Sequence, residues 1–360
     1  MKQRTARQIA MAFTGSFLGA GFVSGQELMQ FFAAFGPWGL AGMVLALALL
    51  GLSGMLVMRI AKRTGITEFD RIVLPGEKAP FLRKLLSAAF LIFLFGVTVV
   101  MIAGGGALLE QLFGLPTLWG NALLTVLTAA VVLLGAQGVV TAFGLVVPPL
   151  IAAAAAISIW SLFRFPVGAL FSMPVSAENP LLSNWFLSTV SFVSYNLLSA
   201  VSILVPIAPE APSERVILRG ILRGVGQLAV IFLCILLPLL LFRPMLQDSE
   251  LPMLALAQAL HPAAGLLYGI LLFGGIFGAA LSCLFGVTYR IGQAHIPHLS
   301  GWKLTAVLSM LAFAASCAGF QELVSTFFPI CGYLGLFAMA GIVLHSVRLF
   351  SKGKKTASRS

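Results

Sequence analysis

Apolar runs cover nearly the whole chain, separated by short stretches rich in charge, proline or glycine. Runs bounded in this way number ten: 9–33, 37–61, 85–111, 117–136, 139–163, 186–208, 217–242, 253–289, 303–319 and 323–348. A helix crossing a bilayer needs roughly 20 apolar residues. The pattern predicts an all-α, polytopic membrane protein of about ten transmembrane helices. The fourth and fifth runs meet at Gly135-Ala136-Gln137-Gly138, a tight turn. The eighth opens with a less apolar stretch, Met253–Leu260, which suits a short surface helix, with Pro262 near the true start of the span.

The first run is interrupted where a spanning helix should be most regular. Gly15, Gly19, Gly21 and Gly25 fall within thirteen residues that also hold Gln26 and Glu27. Each glycine weakens a helix by roughly 1 kcal/mol. Gly15 and Gly19 alone would suit a close helix contact. The whole cluster points to an unwound segment between two half-helices, whose amides suit a carboxylate and whose carbonyls suit a cation. Glu27 is nine residues past Leu18, about 13 Å along a helix, which puts it toward the outer vestibule. An ionisable residue at membrane depth is a candidate for gating or proton coupling, or for locking the outer half-helix to a polar partner. Gln26 shares these surroundings.

The sixth run carries Ser194, Tyr195, Asn196 and Ser199 at a depth that matches the glycine cluster of the first. Interruptions at corresponding positions of two halves point to a solute site, and a break is expected here too. Asn196 would otherwise join two helices by a hydrogen bond. In the eighth run, Ser282 and Thr288 offer oxygens to a hard cation. A hydroxyl can equally bond back to its own helix, and that reading is preferred for Thr288. Gly104-Gly105-Gly106 in the third run suits close packing. In the tenth, Pro329 should kink the helix and Tyr333 is a candidate pore residue. The fifth run has no lysine to stand in for a bound cation.

Composition narrows the classes. The 360 residues are 59 % hydrophobic and 9 % charged, against about 25 % charged in soluble domains. The net charge of +11 is explained by orientation rather than by nucleic acid. With the N-terminus in the cytoplasm, only Arg164 and Arg243 among the 22 Lys and Arg residues fall outside. That asymmetry is the positive-inside rule. It supports both termini in the cytoplasm, no cleaved signal peptide and a bacterial inner membrane location. The first five spans then begin inside and the second five outside, which allows two inverted five-helix repeats. The expected parts are repeats at 1–163 and 186–348, an extracytoplasmic loop at 164–185 and a basic tail at 349–360. No phosphate loop or zinc motif occurs. The four cysteines read as apolar filler and the four histidines as residues of span ends. No enzyme activity is expected.

The stretch Gly15-Ser16-Phe17-Leu18-Gly19-Ala20-Gly21-Phe22-Val23-Ser24-Gly25-Gln26-Glu27 resembles the YkvI-like bacterial membrane proteins. That family is similar to a branch of the amino acid–polyamine–organocation superfamily, with the fold of the neurotransmitter–sodium symporters. The resemblance covers 9–348. It implies broken helices 1 and 6 that hold a solute together, Gly19–Gly21 meeting a carboxylate and Tyr195 through Ser199 completing the pocket. It also implies a sodium site of first-span carbonyls at Ala20 or its neighbours with Ser282. Cys283 stands where a second hydroxyl is usual, so proton coupling through Glu27 is the alternative.

The expected function is ion-coupled secondary transport of a small zwitterionic or organic solute, amino acid-like, by alternating access. Gly15, Gly19, Ala20, Gly21, Tyr195, Asn196 and Ser199 would contact the solute; Glu27, Gln26 and Tyr333 would couple or gate. No cofactor beyond a possible sodium ion is expected. The partners are the solute and membrane lipid, with the chain a monomer or weak homo-oligomer. The alternative is a nutrient sensor on the same scaffold, binding without flux.

Overall fold

In the computed structural model, which describes residues 4–17, 19–66, 69–75, 80–134, 137–164, 179–293 and 301–357, the first run is three helices rather than one. They are α1 (Ala6–Phe17), α2 (Ala20–Val23) and α3 (Gln26–Phe31). Gly25 ends the second interruption in the left-handed region, at φ 85°, where a side chain would be strained. A 3-10 turn at Ala33–Phe35 leads into α4 (Trp38–Thr64), followed by the short α5 (Phe69–Val73). Next come α6 (Pro80–Phe113), α7 (Thr117–Leu133), α8 (Gln137–Arg164) and α9 (Trp185–Ile207). The chain continues through α10 (Glu214–Leu241), α11 (Arg243–Leu246), α12 (Pro252–Leu260), α13 (Pro262–Gln293), α14 (Trp302–Ser316) and α15 (Phe320–Ala357). The expected turn at Gly135-Ala136, most of the 164–185 loop, Leu18, His295 and His298 lie outside the described residues.

Among the described residues every regular element is helical. Helices α4, α6, α10, α13 and α15 are long and apolar enough to cross a membrane, and α7, α8, α9 and α14 hold shorter apolar stretches. Large apolar side chains such as Leu134, Phe163 and Phe337 stand exposed. So much exposed apolar surface suits acyl chains rather than water. The protein is a multi-pass membrane protein. As the less apolar start of the eighth run suggested, α12 is separate and α13 starts at Pro262, where a missing N–H costs nothing.

Helix six is a correction. No break occurs: α9 runs without interruption over Trp185–Ile207. The reason is local. From 185 to 205 the chain has neither glycine nor proline, and its polar side chains bond to carbonyls. Asn196 Nδ2 donates to Phe192 at 3.0 Å, and Ser194 Oγ lies 2.9 Å from the Ser191 carbonyl and 2.5 Å from that of Gly332. These groups are held within the helix and by its neighbour, leaving its ladder intact.

Helices α1, α4, α9 and α10 form one packed group and α6, α7, α13 and α14 another, with α15 laid along α9 and α8 against α13 and α10. Glycines permit the closest crossings. A Cβ on Gly120 would sit 2.6 Å from the Gly106 Cα, which is the packing expected of the Gly104–Gly106 run. On α15, a Cβ on Gly335 would lie 2.6 Å from the Ser194 carbonyl oxygen of α9. His345 corrects the expectation that it is a wet span-end residue: it is buried, with Nδ1 2.7 Å from the Ile72 carbonyl.

One end of the molecule is strongly basic and cross-linked. Arg4 pairs with Glu210 at 2.6 Å, and its own N–H donates to the Glu210 carbonyl at 3.0 Å. Arg59 and Arg63 of α4 pair with Glu214 at 3.4 and 2.6 Å, and Lys62 donates to the Ala211 carbonyl. At the far end Glu250, between α11 and α12, is pushed above the usual carboxylate range, first by burial and then by the Glu110 charge.

Two outcomes follow from this packing. Gly335→Val forces a side chain onto the α9 backbone, so thermal unfolding in detergent should show a loss of about 1–3 kcal/mol, the usual cost of overpacking. Glu250 holds its proton more tightly folded than unfolded, so its contribution to stability falls as pH rises through its titration. The melting temperature of Glu250→Gln should therefore gain on wild type as pH rises above about 4.3, the free glutamate value.

Candidate functional site

The first interruption lies between α1 and α2. Gly19 N donates to the Phe17 carbonyl at 2.9 Å and its own carbonyl accepts from Val23. A helix's first-turn amides lack partners within the helix, and here those are the amides of Ala20, Gly21 and Phe22 in α2. Gly15 is exposed and Gly19 half-buried, and a Cβ on either would meet nothing within 4 Å. Met11, one turn earlier on the same face, is also exposed. The opposite face of α1 is different: Ile9, Phe13 and Phe17 are buried, and Thr14 Oγ1 donates to the Gly224 carbonyl of α10.

The second interruption, Ser24-Gly25, is closed by protein. Ser24 Oγ donates to the Gly21 carbonyl at 2.9 Å. Tyr268 of α13 donates to the Val23 carbonyl at 2.6 Å, and Met253 N, in the first turn of α12, donates to the Ser24 carbonyl at 3.0 Å. Thus α12 sits directly on this turn. Gln258 of α12 and Gln111 of α6 bond to each other, Gln258 Nε2 donating to the Gln111 carbonyl at 3.0 Å. The sequence reading missed Tyr268 and α12's role here. The signal available was a tyrosine inside an apolar run, since a buried phenol needs an acceptor.

Glu27 also lies elsewhere than its distance along a helix implied. It is not in an outer vestibule. The Ser24-Gly25 turn breaks the helical rise, and the carboxylate folds back onto Gly21, where a Cβ would be 2.1 Å from Oε1. Glu27 is 5 % exposed, and Tyr195 of α9 donates to Oε2 at 2.6 Å. Gly21 therefore serves the carboxylate by leaving it room. Tyr195 stacks on Phe328 of α15 at 4.8 Å and meets Phe31 and Phe192 tilted and edge-on, and Phe22, Phe32 and Phe232 extend the layer beyond Phe192. This aromatic layer fills the space between α3, α9 and α10.

The other expected site residues separate. Gln26 is buried, and its Oε1 has no hydrogen-bond partner. Asn196 is buried and bonds within α9. Ser199 is half-buried, one turn beyond Tyr195 on the same face of α9. Tyr333 donates to the Leu181 carbonyl, which ties α15 to the segment before α9. Thr288 bonds back to the Phe285 carbonyl, as preferred for it. Ser282 is half-buried on α13, about 21 Å along that helix from Tyr268 at 1.5 Å per residue. Ala20 opens α2. Among the described residues no group of three His, Cys, Asp or Glu is placed to hold a metal.

No family model matches the chain. It is 30 % identical over 345 residues to the uncharacterized membrane protein YkvI of Bacillus subtilis (strain 168), covering 94 % of this chain and 95 % of YkvI. It is 28 % identical to YyaD of the same organism, covering 96 % and 98 %. Among solved structures it is similar to MhsT in complex with L-phenylalanine, with TM-score 0.64, 15 % identity, and 97 % of this chain and 99 % of that one covered. The inward-facing conformation of Mhp1 gives TM-score 0.66 at 12 % identity over 95 % and 77 %. A Na+-coupled sialic acid symporter in a substrate-bound outward-open state gives 0.61 at 16 % over 95 % and 78 %. At these identities the likeness is one of fold, and it matches the fold that the first run suggested.

Tyr195→Phe removes the hydroxyl bonded to Glu27 and should cost about 1–3 kcal/mol in thermal unfolding. A cycle with Glu27→Gln should show the two sites coupled by at least about 0.5 kcal/mol. Additive losses would mean that the two side chains do not act as a pair.

Proposed function

The chain belongs to the family of the membrane protein YkvI, and from that premise we propose that it is a secondary active transporter of a small, amino acid-like solute. The observation that carries this is the first interruption: the helix of the first run stops at Phe17 and resumes at Ala20, and the Glu27 carboxylate is buried against Gly21 just beyond it. Backbone irregularity at membrane depth is tolerated where it lines a cavity or a ligand. The solute's carboxylate would meet the amides of Ala20 and Gly21, with Ser199 one turn beyond Tyr195 on α9.

Alternating access supplies the cycle. The aromatic layer and α12 close one side of the interruption, while Met11 and Gly15 on α1 are exposed. By the positive-inside rule the basic end is cytoplasmic, so in this reading both termini lie inside a bacterial cell membrane. In this reading 1–163 and 186–348 are inverted five-helix halves, with helix six contributing side chains rather than broken backbone.

Glu27 is the proposed coupling group, which favours a proton over sodium. A carboxylate bonded to a tyrosine hydroxyl and enclosed by aromatic rings is costly as an anion. A carried proton removes that cost while the far side is closed, and its release lets the pair rearrange. Sodium held by Ala20 and Ser282 is the competing arrangement; Ser282 stands well along α13 from the residues that cap the first span.

Proteoliposome transport tests this directly. Wild type should exchange a labelled amino acid by counterflow and accumulate it when the proton gradient is directed with the solute. Glu27→Gln should keep counterflow and lose accumulation at least tenfold. A sodium gradient that drives accumulation equally in wild type and Glu27→Gln overturns the coupling assignment. Saturable binding with no counterflow overturns transport and makes the protein a sensor.

A further inference from the structure

Helix α10 carries arginine at 215, 219 and 223, a spacing of four that puts the three on one face. All three are exposed. The other side of α10 is packed: a Cβ on Gly220 would lie 2.7 Å from Ile9 of α1, and one on Gly224 would lie 2.7 Å from Phe13. The exposed face does not end with the arginines. It continues through Gly226, where a Cβ would meet nothing within 4 Å, to the exposed Val230 and Leu233. Leu222 is exposed on the same side.

Helix α1 adds a fourth cation. Thr14 Oγ1 lies 3.2 Å from the Gly224 carbonyl and 3.1 Å from Gln227 Oε1. Arg7 is two turns before Thr14 and Arg223 one turn before Gln227, so both border the seam between the two helices. Arg7 and Met11 are exposed there.

These cations lack counter-ions in the protein. The carboxylates of Glu210 and Glu214 are taken up by Arg4, Arg59 and Arg63. Among the described residues no ion pair reaches Arg7, Arg215, Arg219 or Arg223. Arg223 stands about 14 Å along α10 from its first residue at 1.5 Å per residue, and exposed apolar side chains follow it. An arginine at such a boundary reaches for oxygens at headgroup level. Its planar fork takes a phosphate in bidentate fashion. A zwitterionic headgroup brings its own cation up against the stripe, whereas an anionic one does not. A free phosphate leaves Leu222, Val230 and Leu233 uncovered. The combination selects a phosphate that carries acyl chains and no ammonium.

We propose that this face of α1 and α10 is a binding site for an anionic glycerophospholipid of the cytoplasmic leaflet, its phosphate on Arg219 and Arg223 and its chains along Val230 and Leu233. Arg7 meets the same headgroup from α1, so the bound lipid ties α1 to α10. The site is independent of which solute the protein carries, and of whether it carries one.

Native mass spectrometry of the full-length protein in neutral detergent tests this with phosphatidylglycerol and phosphatidylcholine of identical chains and with glycerol 3-phosphate. Phosphatidylglycerol should bind at least about tenfold more tightly than phosphatidylcholine, and glycerol 3-phosphate should not compete with it. Arg219→Gln and Arg223→Gln should each weaken phosphatidylglycerol roughly fivefold, the share of one basic group at a membrane surface. With Arg7→Gln added to both, the two lipids should bind equally. Lys303→Gln, which removes an exposed cation from α14, should change nothing. Equal binding of the two lipids by wild type overturns the proposal, as does a preference that survives the triple substitution or falls as far with Lys303→Gln. Competition by glycerol 3-phosphate at the lipid's own concentration makes this a free-anion site and overturns the lipid assignment. Thermal unfolding reads the same site: phosphatidylglycerol should raise the melting temperature of wild type and not that of the triple variant, and an equal rise in both overturns the assignment.

Discussion

A peptide group left unpaired in hydrocarbon costs several kcal/mol, and the first run of this chain leaves its helix twice. The rest of the molecule is arranged around those two departures. At Ser24-Gly25 the loose carbonyls are taken up by Tyr268 from α13 and by the first turn of α12. At the other departure, a Cβ on Gly15 or on Gly19 would meet nothing within 4 Å. One departure is packed on every side by protein and the flank of the other is not.

The same constraint explains what could be read from sequence. Glycine density announced the interrupted first span because helix propensity is a local property that lipid does not rescue. Polar residues in the sixth run were a poorer guide. Ser194 and Asn196 are as costly in lipid as an exposed peptide group, yet each found a carbonyl within reach without disturbing the ladder. A polar side chain at membrane depth signals a partner, whereas a glycine cluster signals a backbone departure. The start of α13 at Pro262 was legible for a similar local reason.

Glu27 was legible as a candidate but misplaced, because its position depends on a turn whose geometry is set by Gly25 and by α12, some 225 residues later in the chain. The room for it is left by Gly21 of its own run, and its donor, Tyr195, comes from α9. Arg243 was visible only as an exception to the charge pattern; that it is buried is a matter of tertiary packing.

The ionic lashing at the basic end constrains how the helices there can move. Arg4 is held to Glu210 by both side chain and backbone, while Arg59 and Arg63 grip Glu214 at the head of α10. Swinging α1 alone would tear the Arg4–Glu210 contacts, and swinging α4 alone would tear those of Arg59 and Arg63 with Glu214. Turning α1, α4, α9 and α10 together as a lever keeps every one of them, so the cheapest stroke available to this molecule is the pivot of a block rather than the bending of a single rod.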